Sequence, residues 1–166
     1  MFTVYLSLAE LVMCRMIGGM RSTVARERLI KDTKVSPEMG ITLDEDGVIA
    51  EYAFCQKMNI FPDLVPSPRS GSADCLFMGK RIDIKSTRYR DGMLLATMKE
   101  NPDVDIYVLA IVSGRKVVFP GFATKKQLIN PDNITNLGHG EGYGLAQNQL
   151  TPWKEEYWDG TKNDIQ

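Results

Sequence analysis

A run of alternating residues around Gly79 constrains this chain more than any other feature. In Ser72-Ala-Asp-Cys-Leu-Phe-Met-Gly-Lys-Arg-Ile-Asp-Ile-Lys-Ser86, polar and apolar side chains alternate on the far side of a glycine. Successive strand residues face opposite ways, so Asp83 and Lys85 point one way and Ile82 and Ile84 the other. A two-residue Gly79-Lys80 turn, with glycine at the first central position, closes a hairpin. In that register Leu76 opposes Asp83 and Asp74 opposes Lys85, and directly opposed residues share a face. The pattern therefore predicts a polar face carrying Asp74, Asp83 and Lys85. It predicts an apolar face carrying Cys75, Phe77, Ile82 and Ile84, turned to a core.

At 166 residues the chain is long enough for one domain with a substantial core. The expected division of residues 1–166 is a helical extension at 1–40, a core at 41–130, and a loop and tail at 131–166. Formal net charge is −1, so the molecule is no polycation, and a nucleic-acid reader must gather its basic residues on one face. They are unevenly spread. Lys80, Arg81, Lys85, Arg88 and Arg90 crowd the hairpin, and Arg15, Arg21, Arg26, Arg28, Lys31 and Lys34 crowd the N-terminal region. The three cysteines, Cys14, Cys55 and Cys75, have no CxxC spacing, which argues against a zinc site or a disulfide framework and for a reducing, cytoplasmic compartment. Residues 1–13 are apolar but include Glu10 and lack a basic start, the pattern of an amphipathic helix rather than a signal peptide or membrane span.

Further elements follow from periodicity and punctuation. Helices are expected over residues 5–20, weakened at Gly18-Gly19, and over 22–30. Thr42 and Glu45 fit a capping box opening a helix that runs through Met58 and stops before Pro62. Val48, Tyr52 and Cys55 form one stripe of that helix, with Glu51 at its edge facing the protein, where a carboxylate needs a partner or a metal. Residues 61–71 read as a stiff, proline-bearing loop. A short strand is expected at 93–97, a buried strand at 105–113, a Gly114-Arg115 turn, and a strand at 116–123. Thr124 caps a short helix ending at Leu128. Residues 130–149 read as loop, and the tail carries Trp153, Tyr157 and Trp158. The sum is an α/β protein with a mixed central sheet flanked by helices.

Two carboxylates and an amine on one rigid face suit phosphodiester chemistry. Attack on a phosphodiester brings a nucleophile toward an anion and leaves charge on the departing oxygen, and divalent metals address both problems. Magnesium takes hard oxygen ligands and keeps several waters, so two or three carboxylates suffice. Asp74 and Asp83 are the candidate ligands from the hairpin, and Glu51 from the helix. Lys85 is the candidate electrostatic group. Arg69, Lys80, Arg88, Tyr89 and Arg90 are the candidate nucleic-acid contacts.

Glu51 on a helix, then Asp74, then Asp83-Ile84-Lys85 resembles the PD-(D/E)XK nuclease superfamily. The resemblance spans roughly residues 42–118. Gly47-Val-Ile-Ala-Glu51-Tyr-Ala53 is also similar to the setting of the glutamate in small phage-type nucleases. The resemblance implies a mixed sheet flanked by helices and an N-terminal helical extension to the nuclease core. It implies Mg2+, with Mn2+ as an alternative, held by Glu51, Asp74, Asp83 and the Ile84 carbonyl. It assigns Lys85 to the attacking water. The implied activity is hydrolysis of DNA by a deoxyribonuclease, leaving 5′-phosphate and 3′-hydroxyl ends in a bacterial or phage-infected cytoplasm. The implied partner is DNA, with no membrane and with a homodimer left open. Two departures stand out: Ala73 rather than Pro precedes Asp74, and residues 98–104 are too few for a crossover helix.

Other readings of the same residues stay open. The hairpin face could be a solvated surface with a cross-strand ion pair, in a structural or assembly protein. A catalytically inactive nucleic-acid-binding module of the same fold is a second alternative. A glycosidase using paired carboxylates gives Lys85 no natural role. His139, the only histidine, sits in a glycine-rich stretch without nucleotide-binding spacing, and a single histidine argues against Ser-His-Asp hydrolysis. Trp153, Tyr157 and Trp158 are better suited to packing than to stacking on bases.

Overall fold

The computed structural model describes residues 1–27, 37–66, 73–98, 103–136 and 140–157. The protein is mixed α/β. The described residues form three helices, α1 (Leu8–Glu27), α2 (Pro37–Met58) and α3 (Lys125–Leu128). They also form two sheets. The main sheet is built from β1 (Phe2–Tyr5), β2 (Cys75–Phe77), β3 (Lys80–Thr87), β5 (Ile106–Ser113), β6 (Lys116–Phe119) and β7 (Phe122–Thr124). Its order is β1-β6-β5-β3-β2, with β7 also pairing with β5. The β3–β5 pair is parallel and sets Asp83 beside Tyr107, while the other pairs are antiparallel. A second sheet has β4 (Leu94–Thr97), β8 (Ile134–Asn136) and β9 (Glu141–Leu145) in the order β4-β9-β8.

The main sheet is covered on both faces, and β5 shows why. Ile106, Val108, Ala110 and Val112 join the helices α1 and α2 in one core. Tyr107 and Leu109 pack the other way, against Leu94, Ala96, Leu145 and Leu128. A strand buried on both faces needs a continuous apolar run, which is how this one reads in the sequence. Among the described residues, the crossover between the parallel strands β3 and β5 contains no helix. It carries β4 into the second sheet, which packs on that face of the main sheet.

The N-terminus differs from its expected form. Residues 2–5 are a strand, because Phe2 and Val4 are buried while Thr3 and Tyr5 are exposed, and β1 pairs with β6. The capping box of α1 is Ser7 with Glu10: Ser7 N–H donates to Glu10 Oε2 at 2.6 Å and Glu10 N–H donates to Ser7 Oγ at 3.2 Å. The two expected helical pieces are one helix through Glu27. Gly18 does not end it. A Cβ there would lie 2.6 Å from Glu45 Cα, so the glycine lets α1 and α2 approach closely. Thr42 and Glu45 are not a capping box, since α2 begins at Pro37 and both lie inside it.

Later elements are mixed in outcome. Thr124 does cap α3, accepting from Gln127 N–H in a capping box. The expected strand at 116–123 is two strands, broken at Pro120-Gly121. Residues 130–149, expected as loop, hold β8 and β9. Trp153 and Tyr157 are buried among Phe2, Phe54 and Phe122. Among the described residues no helix is long and apolar enough to cross a membrane. His139, Arg69, Arg28, Lys31, Lys34 and Trp158 lie outside the described residues.

Candidate functional site

The hairpin turn sits one residue earlier than expected. Met78 and Gly79 both have positive φ, 48° and 71°, the backbone of a type I′ turn. The register therefore pairs Cys75 with Ile82 and Phe77 with Lys80. This shifts the pairing by two residues, and a shift of two leaves every side chain on its expected face. Asp74 lies just before the paired residues and is bonded to the backbone on either side of Asp83 rather than set opposite Lys85. Its N–H donates to the Ile82 carbonyl at 2.8 Å, and its Oδ2 accepts from Ile84 N–H at 2.7 Å.

Asp83 and Lys85 share the face opposite Ile82 and Ile84, as alternation predicts. Lys85 Nζ lies 2.8 Å from Asp83 Oδ2, with the Asp83 side chain 12% exposed and that of Lys85 41% exposed. The Asp74 carboxyl is pushed up to about 8, first by burial and then by the negative charges of Glu51 and Asp83. Helix α2 therefore delivers Glu51 into electrostatic range of Asp74, as its position beside the Val48, Tyr52 and Cys55 stripe suggests.

Glu51 also has a partner that sequence reasoning missed. Arg21 of α1 donates through Nη1 to Glu51 Oε2 at 3.0 Å, and both side chains are largely buried. The same guanidinium donates to the Asp63 carbonyl at 2.7 Å and the Val65 carbonyl at 3.1 Å. One cation thus joins α1, α2 and the segment after α2. Nothing local in the sequence separates Arg21 from its basic neighbours; the close α1–α2 approach at Gly18 brings it within reach. Among the described residues, no group of three or more His, Cys, Asp and Glu side chains is gathered closely enough to hold an ion.

The expected basic contacts divide. Arg88 donates through Nη2 to Asp46 Oδ1 at 3.0 Å and through Nε to Asp46 Oδ2, a two-pronged bond to a buried carboxylate on α2. Its charge is spent on holding the end of β3 to the helix, because a buried carboxylate needs a cation. Arg81 is bound in the same way by Asp105, with both contacts at 3.0 Å. Tyr89 and Arg90 are exposed. Gln147 Nε2 donates to the carbonyls of Arg90 and Gly92 at 2.9 and 3.1 Å, fixing the backbone that presents Tyr89. Lys80 is half-buried at the turn.

Two grooves flank the hairpin, one lined by Asp74 and the other by Lys85. One, of about 780 Å3, runs along residues 60–66 to Asp74 and Leu76. The other, of about 610 Å3, runs from Ile84 and Lys85 past Tyr89 and Met93 to Thr135 and Asn136. No family model, no curated protein and no solved structure matches this chain.

Proposed function

We infer that this protein is a magnesium-dependent nuclease acting on DNA phosphodiesters, with a core of the PD-(D/E)XK type. The observation that carries this reading is the bracketing of Asp83 by Asp74, with the Glu51 and Asp83 charges bearing on the Asp74 carboxyl. Burial and the charges of Glu51 and Asp83 disfavour the ionised Asp74 carboxyl, and a divalent cation would relieve that repulsion. No three of the described acids are gathered closely enough to hold an ion by themselves, but Mg2+ is usually held by one or two carboxylates plus waters and substrate phosphates, which suits the Asp74 and Asp83 pair. Asp74 and Asp83 would hold it, with Mn2+ as an alternative, and Glu51 and the Ile84 carbonyl would complete its surroundings. A bound magnesium supplies Lewis-acid polarisation of the phosphodiester and a more acidic water. Lys85, fixed by Asp83, sets a positive charge at the rim of the groove where phosphoryl oxygens would gather charge.

The bond from Arg21 to Glu51 favours a second reading, a nucleic-acid-binding module without turnover. A carboxylate already neutralised by a guanidinium is less free to take a metal. One assay separates the two. Plasmid and oligonucleotide DNA are incubated with the protein in Mg2+, Mn2+ or EDTA. The nuclease reading expects cleavage in either metal, none in EDTA, and a rate at least about 100-fold lower in Lys85→Ala. Binding without cleavage in any metal would falsify it and leave the module.

A further inference from the structure

One hydrogen bond links the linings of the two grooves. Asp74 lines the first, Ile84 and Lys85 line the second, and Asp74 Oδ2 accepts from Ile84 N–H at 2.7 Å. Each groove also carries a solvent-facing aromatic ring. Phe61, in the first, is 88% exposed, and Tyr89, in the second, is 76% exposed. Each ring lines its groove, so a ligand lying there would cover it, and that burial would be favourable. Neither ring sits on slack backbone. Arg21 ties the carbonyls of Asp63 and Val65 to α1, and Gln147 ties those of Arg90 and Gly92.

Charge argues about what fills these grooves. Duplex DNA is bound mainly by neutralising phosphates, and that takes many free cations. Around this site Arg21, Arg81, Lys85 and Arg88 are each bonded to a carboxylate. Among the described residues around the two grooves, Arg90, next to Tyr89, and the partly exposed ammonium of Lys85 are turned outward. That is enough to follow one phosphate backbone at a groove rim and too little to grip two. A single strand is instead held by stacking its bases on aromatic faces, with a few cations along its phosphates.

We propose that the site takes single-stranded DNA, with bases on either side of the reacting phosphate stacking on Phe61 and Tyr89. This rests on the nuclease reading for the chemistry performed between the rings, but the binding stands apart from turnover.

The test is anisotropy of a short fluorescein-labelled oligonucleotide, alone or annealed to its complement, in EDTA so that nothing is cut. Single strands are expected to bind at least about tenfold more tightly than duplex. Phe61→Ala and Tyr89→Ala are each expected to weaken single-strand binding by about five- to a hundredfold. Phe61→Trp is expected to bind normally, with indole fluorescence quenched on binding. Both side chains are exposed, so unchanged thermal midpoints verify that the variants fold. Equal binding of the two DNA forms, or alanine variants that bind like the wild type, overturns the proposal. Metal-dependent cleavage together with equal binding overturns it and leaves the nuclease standing. Tight single-strand binding without cleavage in any metal sustains it and removes the nuclease.

Discussion

Asp74 is bonded to the backbone on both sides of Asp83: its N–H reaches the Ile82 carbonyl and its carboxylate takes the Ile84 N–H. Two acids are thus held together by backbone bonds. Burial first, and then the charges of Glu51 and Asp83, lift the Asp74 carboxyl to about 8.

A dependence of stability on pH and metal follows. With its folded value raised, the Asp74 carboxyl holds a proton in the native state that the unfolded chain has released. Stability is therefore lost as pH rises from about 4 through about 8. Asp74→Asn has no charge to repel and can still accept from Ile84 N–H. Without metal it is expected to melt a few degrees above wild type at pH 8, on the order of 1 kcal/mol, and near wild type at pH 4. Added Mg2+ is expected to raise the wild-type midpoint and leave Asp74→Asn where it was. Differential scanning fluorimetry across pH, in EDTA and in Mg2+, reads both effects.

How much of this was legible beforehand depended on the range of the forces involved. The shared face of Asp83 and Lys85 follows from strand alternation alone, and it survives a turn placed one residue off because the register moved by two. The apolar run of β5 and the Thr124 cap are equally local. Ser7-x-x-Glu10 and Thr42-x-x-Glu45 are the same signature, and only the packing of whole helices decides which one begins a helix. Strand β9 reads as loop because of Gly142 and Gly144, yet a Cβ on Gly144 would lie 2.9 Å from Thr135 Cγ2 in β8. Arg21 could not be singled out, since its partners are some 30 to 44 residues away in sequence.

Arg21 is the structural hinge between the N-terminal helix and the site. Arg21→Ala leaves Glu51 half-buried without its guanidinium and frees two backbone carbonyls. The expected loss is about 2–4 kcal/mol, since breaking a buried pair costs more than the pair contributes. Arg21→Ala combined with Glu51→Gln is expected to recover part of it, as the charge that the guanidinium balanced is removed as well. Urea titrations of the four proteins of that cycle measure the coupling. Additive losses would show that the two side chains do not interact.

Arg81 and Asp105 join the first residues of the parallel strands β3 and β5. Arg81 donates by both its backbone N–H and its side chain, and these bonds hold the Asp105 carboxyl down at about 2. A lowered folded value gives stability that is present above about 4 and lost as pH falls toward 2. Asp105→Asn is expected to flatten the acid limb of the urea midpoint in that window and to lower the midpoint at pH 7. An acid limb identical to that of wild type would exclude this pair as its source.

Gly18 and Gly19 offer a control within one helix. Neither has positive φ, so alanine's helical backbone suits both. At Gly19 a Cβ meets nothing within 4 Å, and Gly19→Ala is expected to stabilise by about 0.5–1 kcal/mol. At Gly18 the Cβ falls 2.6 Å from Glu45 Cα and 2.8 Å from Glu45 N, which are backbone atoms that cannot swing aside. Gly18→Ala must push α1 from α2 and is expected to cost about 1–3 kcal/mol. The same displacement moves Arg21, one turn further along α1, off Glu51. Gly18→Ala is therefore expected to lower single-strand binding along with stability, whereas Gly19→Ala leaves binding unchanged. Thermal midpoints and anisotropy on the two variants decide it, and equal behaviour of the pair would rule out a close helix approach at Gly18.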